Sequence, residues 1–159
     1  MIKKILTLLL VINLNSCGYS PMFKYEKDIN FKITKINFEG NRLINNSLKS
    51  KFGRFLSVES ENHFEVSVNS FFEKKEISKN TKGEIDIYKI QVRTFINIKK
   101  VNTNNLSNFE PFSKEYSFNE EFLQKSKSDK FEEKKYETSI VQNLTDTIFD
   151  KFILLMINK

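Results

Sequence analysis

The sequence predicts an α+β fold of two layers, in which a sheet of about four strands carries two helices on one face. Four segments alternate apolar and polar residues with period two, and two segments repeat apolar residues every three to four positions. Their order is β-α-β-β-β-α. One-sided helices and a one-sided sheet bury their apolar faces most simply against each other. The chain has 159 residues, 39% of them hydrophobic, so we expect one α+β domain over residues 31–159.

The first strand and first helix are predicted from residues 31 to 56. The strand carries two alternating apolar pairs, and the phase slips between them at Lys35: Phe31 with Ile33, then Ile36 with Phe38. This slip indicates a β-bulge or a strand end buried on both faces. Asn41 is the expected N-cap of the helix, and Gly53 is expected in its last turn. The apolar stripe of the helix consists of Ile44, Leu48, Phe52 and Phe55 or Leu56.

Two long strands and a shorter one are predicted next. Apolar residues alternate from Phe64 to Phe72 and again from Tyr88 to Ile98. The connection from Lys74 to Glu84 is rich in lysine, so we expect an antiparallel hairpin with a basic tip. A polar turn over 102–113 then leads to a fourth strand with the apolar residues Tyr116, Phe118 and, at its end, Phe122.

The last element is predicted as a long amphipathic helix. Its apolar stripe consists of Ile140, Leu144, Ile148, Phe152 and Leu155, with Val141 and Phe149 at its sides. The preceding stretch, Asp129 to Glu137, mixes Lys and Glu and is expected to solvate the helix. The acidic pairs Glu120-Glu121 and Glu132-Glu133 are likewise expected at solvated edges.

The amino terminus has the pattern of a secretory signal over residues 1–16. Lys3 and Lys4 precede an apolar run from Ile5 to Leu14, which is too short to cross a bilayer comfortably. The sequence Leu14-Asn15-Ser16-Cys17 resembles the lipobox of bacterial lipoproteins, although Asn15 departs from the usual small residue. That resemblance implies cleavage before Cys17, with a diacylglycerol and an N-acyl chain on Cys17 and no other cofactor. The alternative is a buried free cysteine; a disulfide framework is excluded, because the chain has one Cys.

Residues that could carry catalysis are sparse. The single histidine, His63, lies at the start of a predicted strand, where a solvated side chain is expected rather than a metal ligand. The four glycines never cluster, so no phosphate-cradling loop is available. We therefore expect a protein that is not an enzyme, with an unrecognised envelope enzyme as a remaining alternative.

The formal net charge of +6 favours an anionic partner. The four lysines around the predicted hairpin tip suit phosphate contacts, whether in nucleic acid or in a phosphorylated lipid: Lys74, Lys75, Lys79 and Lys82. An exported lipoprotein meets phosphorylated lipid rather than nucleic acid, so no nucleic-acid partner is expected. The alternative is that these lysines only keep the surface solvated.

The mature sequence resembles the LptE family of lipopolysaccharide-assembly lipoproteins. The resemblance lies in Cys17-Gly18-Tyr19 after the lipobox, in Pro21 with an aromatic residue close behind, and in the length and order of the elements. It implies a lipidated amino terminus and tether over 17–30 and an outer-membrane location on the periplasmic side. Gly18 after the cysteine is compatible with transport to that membrane.

The resemblance also implies a function and a set of site residues. Members of the family plug and help to assemble the β-barrel LptD and bind lipopolysaccharide on its way to the outer leaflet. Basic residues that match the family's lipopolysaccharide-binding loops by position are Lys79, Lys82, Lys125, Lys127 and Lys130. The alternative function is that of a lipid-anchored accessory subunit of another envelope machine, for barrel assembly or phospholipid transport.

Overall fold

The computed structural model describes residues 30–102 and 112–157. The predicted signal segment 1–16, Cys17 and the tether up to residue 29 lie outside the described residues. Most of the polar turn predicted between the third and fourth strands also lies outside them, because residues 103–111 are not described.

Four strands and two helices follow one another in the predicted order. They are β1 (Lys32–Gly40), α1 (Arg42–Gly53) with a short 3-10 turn (Arg54–Leu56), β2 (His63–Lys79), β3 (Ile85–Lys100), β4 (Ser113–Lys125) and α2 (Lys130–Ile157). The α+β class and the β-α-β-β-β-α order are confirmed. Among the described residues, neither helix combines the length and the apolar character needed to cross a bilayer.

The strands form one mixed sheet in the order β1-β2-β3-β4. β1 runs parallel to β2, while β2 with β3 and β3 with β4 are antiparallel. The register between β1 and β2 shifts between Ile33 and Lys35, which confirms the predicted bulge. Because β1 and β2 are parallel, the chain must return along the sheet between them, and α1 makes this crossover.

Asn41 begins α1 as predicted. Its Oδ1 accepts hydrogen bonds from the N–H groups of Leu43 at 3.0 Å and Ile44 at 3.2 Å, which satisfies two of the free donors of the first turn. The buried side of α1 consists of Ile44, Leu48 and Phe52. Since these residues share one face, α1 lies flat on the sheet.

Phe52 joins the two helices in the core. Its ring centroid lies 5.2 Å from that of Phe149 and 5.6 Å from that of Phe152, both in edge-to-face geometry. Phe152 in turn meets Tyr116 of β4 at 5.9 Å. Both helices therefore cover the same face of the sheet, and the core lies between the two layers.

The predicted stripe of α2 is wrong at its end. Leu155 is 44% exposed, whereas Ile153 and Met156 are buried. The contact face advances by four residues per turn here, from Phe149 to Ile153 and from Phe152 to Met156, so Leu155 turns towards solvent.

The predicted hairpin connection is also wrong in length. β2 continues to Lys79, so Lys74 and Lys75 belong to the strand and only residues 80–84 form the turn. Lys74 pairs with Ile90 across the strands and lies on the helix-covered face of the sheet. A lysine on a covered face interrupts the apolar pattern, which is why the strand looked shorter in the sequence.

Gly40 should not tolerate a side chain. It has φ of +92°, and an added Cβ would lie 2.0 Å from the Ser70 carbonyl oxygen. We expect Gly40→Ala to lower the free energy of unfolding by about 2–4 kcal/mol, measured by urea denaturation. In the control Gly53→Ala, the new Cβ meets nothing within 4 Å, so the free energy of unfolding should stay level or rise by up to about 1 kcal/mol. Equal stability of the two variants would contradict this account.

Candidate functional site

The five lysines singled out in the sequence lie at one end of the sheet, which we call the basic end. They are the last residue of β2 (Lys79), a residue of the 80–84 turn (Lys82), the last residue of β4 (Lys125), a residue of the following loop (Lys127) and the first residue of α2 (Lys130). The register explains their proximity, since β3 pairs with both strand ends: Lys79 with Ile85 and Ile87 with Lys125. All five residues are exposed.

The turn that carries Lys82 is held by Asn80. The Asn80 Oδ1 accepts hydrogen bonds from the N–H of Lys82 at 2.9 Å and that of Glu84 at 3.0 Å. The Asn80 N–H donates to the Glu84 carbonyl at 2.8 Å, and Gly83 supplies the left-handed residue with φ of +82°. Lys82 therefore projects from a turn of fixed shape.

The loop that carries Lys127 is tied to α2 by the carboxylate of Glu133. Its Oε2 accepts hydrogen bonds from the Ser126 hydroxyl at 3.1 Å, the Lys127 N–H at 2.9 Å and the Lys130 ammonium at 3.4 Å. Asp129 caps the helix, because its Oδ1 accepts from the N–H of Phe131 at 2.8 Å. One carboxylate thus holds the backbone of Lys127 and the ammonium group of Lys130.

Glu133 also belongs to a buried ionic cluster, formed by Lys74, Glu133 and Glu137. The Lys74 Nζ lies 3.2 Å from Glu133 Oε1 and 2.8 Å from Glu137 Oε2, and 3.9 Å from the centroid of the Tyr88 ring. Glu133 and Glu137 are each 5% exposed. The prediction of a solvated position is therefore wrong for Glu133 and Glu137, because the sheet supplies a cation that the helix sequence does not show, whereas Glu132 is exposed as predicted.

The cluster shifts the pKa values of its members towards the charged forms. Burial alone would raise the pKa of Glu133, but hydrogen bonds from the Lys127 N–H, Lys74 and Ser126 lower this pKa from 4.5 to about 2. Burial would also raise the pKa of Glu137, but contacts with Lys134 and Lys74 lower this pKa below its ordinary value. Burial would lower the pKa of Lys74, but the two carboxylates raise it above 10.5.

A depression of ≈ 480 Å³ lies between the 80–84 turn and the loop before α2. Its wall brings Lys127 and Lys130 together with the carboxylates of Glu84 and Asp86 and the hydroxyl groups of Ser126 and Ser128. The Lys127 Nζ lies 4.7 Å from the centroid of the Tyr136 ring. The other three lysines, Lys79, Lys82 and Lys125, are near this depression in the fold but do not line it. The sequence did not indicate its two acidic residues, because Glu84 ends the lysine-rich connection and Asp86 is an ordinary polar position of β3.

His63 begins β2 as predicted, at the end of the sheet opposite the basic end. It is half-buried rather than solvated, and its Nε2 lies 2.7 Å from the Ser60 carbonyl oxygen. Within residues 30–102 and 112–157, no three His, Cys, Asp or Glu side chains come close enough to hold a metal ion.

Comparisons with known proteins identify no family for this chain. No protein-family model and no curated protein matches the sequence. Among solved structures, the crystal structure of the rare lipoprotein B from Shewanella oneidensis matches with a TM-score of 0.44 and 10% sequence identity. The match covers 78% of this chain and 97% of that chain. At these values the likeness identifies no function.

The pKa of Glu133 predicts acid sensitivity. A carboxyl with a pKa of about 2 in the folded protein, against an ordinary 4.5, stabilises the fold fully above 4.5 and loses that effect as the pH falls from 4.5 towards 2. Urea denaturation at a series of pH values should show this loss, which amounts to about 3 kcal/mol. Glu133→Gln should flatten the profile in this range, while the exposed neighbour variant Glu132→Gln should keep it. An unchanged profile for Glu133→Gln would disprove the assignment.

Proposed function

We propose that this chain is a lipid-anchored outer-membrane protein of the LptE type. It would be anchored through Cys17 on the periplasmic side, would plug and help to assemble an LptD-like β-barrel, and would bind lipopolysaccharide during its insertion into the outer leaflet. The role is one of binding and scaffolding, without bond chemistry.

The observation that carries the proposal is the gathering of five exposed lysines at the basic end. They come from separate parts of the chain, and the register of the sheet brings them to one end. Ammonium groups bind phosphate oxygens through charge-assisted hydrogen bonds. Phe131 follows Lys130 directly and is 75% exposed, so an apolar surface adjoins the charges. A phosphorylated amphiphile matches both features.

An anchor on Cys17 would join the chain at the end of the sheet opposite the basic end. The described chain begins beside the start of β2, where Lys32 pairs with His63, and the basic end lies at the other end of this 17-residue strand. At about 3.3 Å per residue, the two ends are about 50 Å apart. The stretch from Cys17 to Asn30 can extend over at most about 45 Å. With the strands perpendicular to the membrane, the basic end would lie about one bilayer thickness from the anchor, since a bilayer is about 40–45 Å thick.

Lipopolysaccharide binding should depend on the charges of the basic end. We expect Lys79→Glu with Lys82→Glu to weaken binding of purified lipopolysaccharide about tenfold or more at low salt, because two attractive contacts become repulsive. Thermal unfolding should change little, since exposed charges contribute little to stability. The matched control is Arg42→Glu with Lys49→Glu, which makes the same charge change on α1. Equal binding by the two double variants would show that Lys79 and Lys82 only solvate the surface.

The proposed β-barrel partner can be tested by extracting the protein from native membranes. Extraction in mild detergent should recover the protein in a stable complex with an outer-membrane β-barrel, and depletion of the protein should cause a specific defect in lipopolysaccharide export. A general loss of outer-membrane barrels on depletion would instead support the alternative role in another envelope machine. Recovery of the protein without any barrel would count against the proposal.

A further inference from the structure

The face of the sheet that faces away from both helices has no partner among the described residues, and we call it the open face. Its rows follow from the register, which places Asn69 beside Glu39 and Phe95, and Asn97 beside Glu115. Phe71 is 41% exposed and packs edge-to-face on Phe95 at 6.0 Å between ring centroids. An aromatic pair in the middle of a polar sheet face is a typical anchor of a protein interface.

Five charged residues in the half of the open face near the basic end are paired with one another. Glu73 lies 3.0 Å from the Lys75 Nζ and 3.8 Å from an Arg93 guanidinium nitrogen. Glu121 lies 3.2 Å from the Lys89 Nζ. These residues satisfy their charges within the sheet, so they leave little electrostatic attraction for a partner.

Two carboxylates in the other half lie in rows of the sheet that contain no cation. Among the residues that the structure describes, no cation lies within 4.0 Å of Glu39 or Glu115, and the other residues of their two rows are uncharged. Both line a shallow depression of ≈ 320 Å³ together with Phe95 and the amides of Asn69 and Asn97. The adjoining row contains Lys35, Glu65 and Lys99 and bounds the depression with mixed charge.

The distance between the two carboxylates limits which kind of ligand could contact both of them. Glu39 is on β1 and Glu115 on β4, the two edge strands, and their rows are two residues apart along the strands, so three strand spacings of about 4.8 Å and this offset put them about 16 Å apart. That distance is too long for one metal ion or one side chain. Four residues of an extended chain cover about 13 Å, and residues i and i+4 of such a chain point to the same side.

We propose that the open face docks an extended segment of a protein partner, in which two Arg or Lys side chains four residues apart meet Glu39 and Glu115. The residue midway between them lies over Asn69 and Phe95, and the aromatic pair supplies the apolar contact. An anionic membrane would be repelled by the two carboxylates, and a second copy of the same face would oppose acid with acid. This inference rests on the open face and does not depend on lipid binding at the basic end.

The test uses the full chain in detergent micelles and a probe peptide, acetyl-Arg-Ser-Gly-Ser-Arg-amide. Its control is the same peptide with citrulline, an uncharged analogue of arginine, in place of both arginines. Amide chemical shifts of the protein, followed by NMR during titration, should change at Asn69, Phe95 and Asn97 with the arginine peptide and much less with the citrulline peptide. Glu39→Gln with Glu115→Gln should weaken binding roughly fivefold, whereas Glu73→Gln with Glu121→Gln on the same face should not.

Three results would overturn the proposal. The first is equal binding of the arginine and citrulline peptides, which needs no variant and so does not depend on how the variants fold. The second is equal weakening by the two double variants. The third is a change of the open-face shifts on dilution without peptide, which would show that a second copy of the chain covers this face.

Discussion

The ionic cluster of Lys74, Glu133 and Glu137 holds one half of the molecule together. Along α2, the first two buried residues are Glu133 and Glu137, and buried apolar residues begin only at Ile140. The amino-terminal turns of this helix therefore rest on the sheet through charges and not through an apolar stripe. Burying these carboxylates is costly, and the cost is offset because Glu133 accepts hydrogen bonds from four donors and Glu137 from two.

This arrangement couples the core to the basic end. The Glu133 carboxylate that meets Lys74 through Oε1 also holds the Ser126 hydroxyl and the Lys127 N–H through Oε2. A charged cluster tolerates smaller displacements of its side chains than an apolar contact does, because its hydrogen bonds depend on direction. The loop before α2 is thereby fixed relative to β2, and the 80–84 turn continues from that same strand. The lysines of the basic end thus share one rigid support.

Local sequence patterns predicted most of the fold. The bulge at Lys35, the cap at Asn41 and the order of the elements follow from periodicity and capping chemistry, which act over a few residues. The apolar–polar periodicity gave wrong predictions where the fold places a charged side chain on a covered face. Lys74 and Glu133 are 59 residues apart, and each separately reads as a surface residue, so neither the full length of β2 nor the burial of α2 near Glu133 could be seen from the sequence.

The candidate site shows the same limit of local patterns. The resemblance to a lipoprotein family indicated the lysines, but only the sheet register brings Lys79, Lys125 and Lys130 to one end. No pattern in the sequence indicated the carboxylates Glu39 and Glu115 as part of a site, since they are ordinary polar positions of two separate strands. Their significance depends on the register of the sheet, which places no cation in their rows.

The net charge of +6 conceals an uneven distribution. Anions would be attracted to the basic end, whereas the part of the open face near Glu39 and Glu115 carries free negative charge. These two surfaces lie on different parts of the sheet, and salt largely screens exposed charges from each other when they are more than about 10 Å apart. A phosphorylated ligand at the basic end and a basic protein segment on the open face would therefore not compete for residues, and the sign of each local group of charges, not the net charge, decides which of them is attracted.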